Sequence, residues 1–306
     1  MKKYTFIDLF AGIGGFHLAF HHEGAECVFA SEIDEYARKT YQANFTKISP
    51  ELFENEEMLF NRDITKQKIE SIPNFDILCG GFPCQPFSNA GFRKGFEDTR
   101  GTLFFNIADI IAKKQPEAFF LENVRGLFTH DNGKTFDTIK RVITEDLGYS
   151  FFYKIIKASD YGLPQARARL FMVGFKDKNI HFEFPQPTPL KYDMSYIMGG
   201  KVPRKIGFTL RCGGRGSKIN DRRNWDSYLV DGKEVQLNSK QGLLMQGFPK
   251  NFIFPVSETQ AMKQLGNSVA VSAIQATARN VIQALKKKDY FKLALEPQDI
   301  FLYANT

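Results

Sequence analysis

No stretch of this chain approaches the roughly 18 uninterrupted apolar residues that a membrane-spanning helix needs, so no transmembrane segment is expected. Cysteine is scarce. The four present, Cys27, Cys79, Cys84 and Cys212, include no C-x-x-C pair. That spacing suggests neither a zinc site nor a disulfide framework, and no metal is expected; each cysteine is buried packing or a reactive thiol. No internal repeat and no low-complexity tract is present. Charge of one sign is not in large excess: 41 Lys and Arg face 34 Asp and Glu, and the pI near 9.1 favours a polyanionic partner only mildly. The opening MKKYTFIDLFAGIGGF has the basic tip and apolar run of a signal peptide, but Asp8 interrupts the run and no small-residue cleavage site follows. It reads as a first strand, and the protein as cytoplasmic.

The 306 residues have ordinary globular composition and suffice for one large domain, or a large and a small one. Short apolar runs alternate with helical patterns in the first half: strands near Tyr4–Phe10, Cys27–Ala30, Phe75–Cys79 and Ala118–Leu121, with helices between them. Such alternation implies βαβ units and a doubly wound, mostly parallel α/β sheet. Phe151–Ala158 and Leu170–Phe175 read as two further strands, an antiparallel pair. From Lys176 to Ser257 the chain turns rich in Gly, Pro and Arg, with Pro185, Pro187 and Pro189 reading as a linker. Helical periodicity returns at Thr259. The expected division is a large domain of residues 1–177 and 259–306 and a smaller one of 178–258. The acidic stretch Glu51–Glu57 reads as a surface loop.

Between Gly199 and Trp225 stand eight basic residues and one acid, Asp221, with Gly213, Gly214 and Gly216 interleaved. This is a phosphate-facing surface or a solvated loop. Asp8 to Phe16 is a glycine-rich turn after a strand, and Glu32 sits about 20 residues on, where an acid can accept ribose hydroxyls. The plain alternative is a tight βα connection. Phe10 could stack on a purine or pack in the core. Gly80 to Ser88 sets Cys84 in a Gly-Pro loop at another strand end; buried cysteine is the commoner state, but not in such a loop. Phe120 to Val124 delivers Glu122 to a third strand end, as a cleft carboxyl, a helix cap or a surface charge. In Gln165 to Arg169, alternation puts Arg167 and Arg169 on one strand face, to hold a phosphate or carbonyl oxygen, or merely as surface charge.

Taken together, FIDLFAGIGGF, GGFPCQPFS, FLENV, QARARLF, LLMQGFP and QLGNSV resemble, in order, the motifs of bacterial DNA (cytosine-5)-methyltransferases. The resemblance covers nearly the whole chain and weakens between about Lys176 and Val235, where that family's target-recognition region varies. It implies a Rossmann-like, S-adenosylmethionine-dependent catalytic domain and a smaller target-recognition domain. Cys84, Glu122, Arg167 and Arg169 would form the catalytic group. Asp8, Phe10, Gly12, Gly14, Gly15, Glu32, Ile33, Asp63, Ile64, Leu103, Asn267 and Val269 would serve the cofactor. Gln85, Ser88, Arg211, Arg215, Arg222, Arg223 and Asn224 are expected at double-stranded DNA, with Trp225 as a core anchor. A monomer, paired with a cognate restriction endonuclease, is the expected working form. One departure is visible: family members carry Arg-Glu upstream of LLMQGFP, where this chain has Lys240-Gln241.

The chemistry follows from the ring. Carbon 5 of cytosine is a poor nucleophile until a thiolate adds at carbon 6, and that addition needs a proton or strong hydrogen bond at nitrogen 3. The rival readings are a transfer-RNA cytosine methyltransferase of the same fold, a catalytically inactive DNA-binding module and, more distantly, a nicotinamide oxidoreductase.

Overall fold

A computed structural model describes residues 2–54, 59–83 and 103–295, with side chains through Tyr290. The chain opens with β1 (Thr5–Leu9), α1 (Gly15–His22), β2 (Glu26–Ser31), α2 (Glu35–Phe45), the single turn α3 (Glu51–Glu54), β3 (Phe60–Asn61) and β4 (Ile77–Gly81). It continues with α4 (Leu103–Lys114), β5 (Ala118–Val124), α5 (Lys134–Arg141), β6 (Phe152–Lys157) and β7 (Ala168–Phe175). After α6 (Met194–Met198) comes a hairpin of β8 (Ser227–Val230) and β9 (Lys233–Gln236), then α7 (Ser239–Gln246), α8 (Glu258–Asn267) and α9 (Val271–Leu295).

Seven strands form one sheet in the order β3-β2-β1-β4-β5-β7-β6. All pairings are parallel except those of β7, which runs antiparallel to β5 and β6. The expected doubly wound, mostly parallel sheet is therefore present, and so is the antiparallel pair. Strand order reverses at β1, whose neighbours are β2 and β4. Connections leave such a point toward opposite faces, so a crevice opens beyond the carboxyl ends of the strands.

Successive strand side chains point to opposite faces. Phe6, Cys27, Cys79 and Phe120 join the core with residues of α1, α2 and α9, while Ile7, Leu9, Leu78, Phe119 and Leu121 join the core with residues of α4 and α5. The same alternation corrects the expectation for Asp8. It shares the face of Phe6, is fully buried and does not line the crevice at the strand end. Burial pushes its carboxyl well above the usual range; a contact from the His17 backbone pulls it down, and Glu32 pushes it up. A buried carboxyl without a cationic partner lowers its energy by keeping its proton. His17 beside it is stacked on Phe45, is bonded to Tyr41 and Ser49, and is brought down to about 3 by burial, so it is neutral.

Two other expectations change. The acidic stretch begins as the helical turn α3, because Leu52 is drawn into the core; residues 55–58 lie outside the described residues. The proline run is pinned to the turn after β6: the Thr188 N–H donates to the Asp160 carbonyl at 2.7 Å and the Tyr161 hydroxyl to that of Pro185 at 2.6 Å. Beyond it, buried Trp225, Tyr228, Leu237 and Met245 belong to the same cluster as α9.

Asp8→Asn tests the proton on this carboxyl. A raised folded-state pKa gives stability that is complete at low pH and is lost as pH rises, so the wild type weakens with alkalinity and the neutral variant does not. The melting temperature of Asp8→Asn should gain on the wild type between pH 5 and pH 9, by several degrees for each ~1.4 kcal/mol of linkage. Parallel melting curves would show that Asp8 is already ionised.

Candidate active site

The crevice beyond β1 and β4 is a cleft of about 690 Å³, a volume suited to a nucleotide-sized ligand. One wall is the turn after β1. Phe10, Gly12 and Gly14 adopt positive φ, which curls the chain back over the strand end; at Gly12 a side chain would find open space but the wrong backbone. Glu32, at the end of β2, grips this turn. Its Oε2 accepts from the Gly12 N–H and its Oε1 from the Asp34 N–H, both at 2.7 Å. Burial raises its carboxyl pKa against those two donors. Arg38 lies over the Phe60 ring at 4.1 Å and donates to the carbonyls of Glu32, Phe60 and Asn61, binding the ends of β2 and β3.

Phe10, Gly12, Glu32, Ile33, Asp63, Ile64, Leu103 and Asn267 all line the cleft. Gly14, Gly15 and Val269 do not. A Cβ on Gly14 would stand 2.2 Å from the Phe45 ring, and one on Gly15 would stand 2.4 Å from Val269. These residues pack the turn from behind rather than facing a ligand. Sequence reading missed Gln264, which also lines the cleft. Thr40 donates to its Oε1 at 2.9 Å, and its buried amide nitrogen has no partner.

The other end is built from β4, β5 and β7. Glu122 is 7% exposed, and its Oε1 lies 3.1 Å from Arg169 Nε, a charge contact without hydrogen-bond alignment. Burial raises its carboxyl pKa; Arg169 and then Arg167 pull the other way. Burial wins because two guanidinium groups at the edge of a dry site do not replace the water a carboxylate loses. Arg167 is not surface charge. It is 3% exposed, and its two Nη atoms donate to the carbonyls of Leu210, Gly266 and Ser268, while its buried Nε has no partner. Burial, with Arg169 close by, brings it down to about 9, still cationic at neutral pH.

Asn123 is a second residue that the sequence did not single out. Its amide donates to the Phe82 carbonyl at 2.9 Å while its oxygen accepts from the Val124 N–H at 2.8 Å. It thereby ties the end of β5 to Phe82-Pro83, the segment that leads directly into Cys84. Cys84, Gln85 and Ser88 lie outside the described residues. Of the other cysteines, Cys27 and Cys79 are buried and burial pushes both thiols well up.

The residues expected at DNA separate into two groups. Arg211 and Arg222 are exposed and free of ion pairs among the described residues; Arg223 is exposed but forked onto Asp221 at 2.8 and 3.1 Å. Asn224 is a correction, and Arg215 is half-buried with intramolecular partners. Asn224 is buried and caps its own turn, accepting from Asp226 and Ser227 and donating to the Ser227 carbonyl. Arg215 is held by the Leu237 carbonyl, by fully buried Asp226 at 3.5 Å and by Glu258 at 3.7 Å. Trp225 is the expected anchor, its indole N–H shared by the carbonyls of Gly213 and Gly214. Gln241, in the departing Lys240-Gln241 pair, closes a capping box with Asn238 at the start of α7.

Comparison with known proteins places the chain among relatives of one family. The family model for C-5 cytosine-specific DNA methylase matches residues 4–206 and 201–283. The chain is 44% identical over 321 residues to the Type II methyltransferase M1.ScrFI of Lactococcus lactis subsp. cremoris, covering 93% of this chain and 79% of that protein. It is 41% identical to M.HpaII of Haemophilus parainfluenzae (93% and 90% covered) and 38% identical to M.HhaI of Haemophilus parahaemolyticus (93% and 96% covered). Among solved structures, DNMT2 of Spodoptera frugiperda superposes with a TM-score of 0.67 at 20% identity, over 93% of this chain and 100% of that one, a likeness of fold.

Asn123→Ala removes the tie between β5 and the Phe82 carbonyl without touching the cleft's far wall. Turnover should fall by roughly 10- to 100-fold, the effect of a reacting group displaced by about 1 Å. Affinity for a cofactor analogue, measured by calorimetry, should stay unchanged. Equal losses in both would mean that Asn123 supports the whole cleft.

Proposed function

The chain belongs to the C-5 cytosine-specific DNA methylase family and is a DNA cytosine-5 methyltransferase; from that premise we propose which of its residues carry the reaction. The observation that supports the reading best is the buried Glu122 beside Arg169, at one end of a cleft whose other end is the turn gripped by Glu32. Relatives of 38–44% identity are Type II methyltransferases, which leaves the transfer-RNA reading without support of its own.

The cleft suits S-adenosylmethionine. Carboxylates of Glu32, Asp34 and Asp63 line it, matching a ligand with hydroxyls and a cationic sulfonium, and the unpartnered Gln264 amide is a donor at the wall. Phe10, Ile33, Ile64 and Leu103 would hold the adenine end and Asn267 the turn beside it. Bound there, S-adenosylmethionine supplies an electrophilic methyl group.

Cys84, directly after Pro83, is the nucleophile. Its thiolate adds to carbon 6 of cytosine, and the ring's electrons move toward nitrogen 3. Glu122, kept protonated by its dry surroundings, donates there. Arg169 steadies the carboxylate that results. Carbon 5, now enamine-like, would take the methyl group; its proton then passes to a solvent base, nitrogen 3 returns its proton to the Glu122 carboxylate, and the thiolate leaves as the ring regains its aromaticity.

A stacked base exposes neither carbon 6 nor nitrogen 3, so the target cytosine rotates out of the duplex at a cost of a few kcal/mol. Phosphate contacts from the segment 178–258, the smaller recognition domain of this proposal, offset that cost. Arg211 and Arg222, with Arg223, Gln85 and Ser88, are the residues assigned to DNA. The enzyme acts as a cytoplasmic monomer, protecting sites from a cognate endonuclease. Among the described residues no helix is long and apolar enough to cross a membrane.

A duplex carrying 5-fluorocytosine at the methylated site should trap the wild type as a covalent adduct, because fluorine cannot leave as the proton does. Cys84→Ser should give no adduct and no methyl transfer while keeping its affinity for S-adenosylhomocysteine. An adduct formed by Cys84→Ser would move the nucleophile elsewhere. Duplex affinity should also drop steeply with salt, by about 10³-fold or more between 50 and 200 mM if six phosphates are contacted. A flat response would remove the basic segment from the interface.

A further inference from the structure

Helix α8 stands between the cleft and the recognition segment. Gln260, Lys263, Gln264 and Asn267 on it face the cleft. Five consecutive residues of the recognition segment, Arg211 to Arg215, touch both of its ends. At the carboxyl end there is no room at all: a Cβ on Gly266 would fall 2.2 Å from the Arg211 carbonyl carbon and 2.5 Å from the Cys212 nitrogen. The same end is tied by Arg167, whose buried guanidinium joins the Leu210 carbonyl to those of Gly266 and Ser268. At the amino end, Glu258 accepts from the Ser239 N–H and hydroxyl at 2.7 and 2.6 Å and pairs with Arg215 at 3.7 Å. Arg215 is itself anchored on buried Asp226 and on the Leu237 carbonyl.

The segment from Arg211 to Arg215 bends at Cys212 and Gly213, takes a positive φ at Gly214, and reaches Glu258 through the Arg215 side chain; its backbone is held in that course by the Trp225 indole, which donates to the Gly213 and Gly214 carbonyls. Arg211, exposed on its outer side, is assigned above to the duplex. A pull on it is felt at Gly266, next to Asn267 in the cleft.

We infer that Arg215 and Glu258 are positioning residues: through them and the Gly266–Arg211 contact, engagement of the duplex by the recognition segment sets the α8 wall of the cleft and so the affinity for the cofactor. This rests on the proposed reading of cleft and segment. It assigns Arg215 to bracing rather than to base reading. The two roles differ in what they predict, because a base reader alters duplex affinity and a brace alters the link between duplex and cofactor. That link is reciprocal: if duplex tightens the cofactor by some factor, the cofactor tightens duplex by the same factor.

The test is calorimetric titration of the full-length protein with S-adenosylhomocysteine, with and without a saturating duplex containing the methylated site. In the wild type the duplex should tighten the ligand by about fivefold or more. In Glu258→Ala, and in Arg215→Ala, the tightening should disappear while each ligand alone binds within about twofold of wild type, and Arg215→Lys should recover part of it. KM for S-adenosylmethionine should rise in the two alanine variants at unchanged kcat. Glu258 is half-exposed, so its removal spares the core; should Arg215→Ala fail to fold, Glu258→Ala decides alone. Undiminished tightening in Glu258→Ala overturns the inference, as does a wild type that binds ligand and duplex independently. Loss of duplex affinity in Arg215→Ala without loss of tightening returns Arg215 to the bases. A wild type that binds neither partner overturns the functional reading itself.

Discussion

The proposed chemistry depends on one constraint: a carboxyl group placed out of water beside a guanidinium that does not fully bond it. Glu122 lies where β5 ends, with Arg169 at 3.1 Å but misaligned, and Arg167 turning both its Nη atoms to backbone carbonyls. A fully paired carboxylate would be a strong anion and a useless acid. An isolated one would be hard to discharge after giving up its proton. The arrangement lies between these limits, and it is the register of β5 against β4 and β7 that sets it. Glu122 pairs with Gly81 on one side and Phe171 on the other, so the carboxyl projects where β4 delivers the chain to Phe82 and Pro83.

The rest of the molecule holds that end of the cleft against the other. Asn123 fixes the exit from β4, Glu32 fixes the turn after β1, and Arg38 closes the outer strands. Each is a polar side chain answering backbone groups that the sheet leaves unpaired at its carboxyl edge, which is where parallel sheets have unsatisfied donors and acceptors to offer a ligand. The segment 178–258 joins the same framework through Arg167, which donates to the Leu210 carbonyl, and through Gln246, which donates to the Leu265 carbonyl at 2.6 Å. Its buried side chains continue the core beneath α9, so the segment 178–258 and the α8 wall of the cleft rest on shared packing.

The sheet, and most of the site, were legible because strand ends announce themselves: Phe120-Leu121 leading into Glu122-Asn123, or Ile7-Leu9 leading into glycines, carry both the apolar run and the polar residue that follows it. Glu32 was legible from its spacing alone. What was hidden lay in side-chain direction and in partners far along the chain. Asp8 belongs to the strand but points into the core, which depends on the face that β1 presents. Gly15 is small because Val269 arrives from the other end of the sequence. Arg215 and Asn224 look like their basic and polar neighbours in a Gly-Arg run. Only the fold shows that Asp226, Leu237 and Glu258 occupy the first and that the second caps its own turn. Composition counts arginines; it does not tell one aimed at phosphate from one bonded to a carbonyl.

The central claim is that burial keeps the Glu122 carboxyl protonated at pH values where ordinary glutamates are ionised. Carbon-13 NMR of protein labelled at the glutamate carboxyl carbon, with Glu122→Gln assigning the signal, follows that proton directly. The account predicts a Glu122 resonance that titrates well above those of the surface glutamates. A midpoint at or below theirs would contradict it, since Arg169 would then hold Glu122 as a permanent carboxylate with no proton to give.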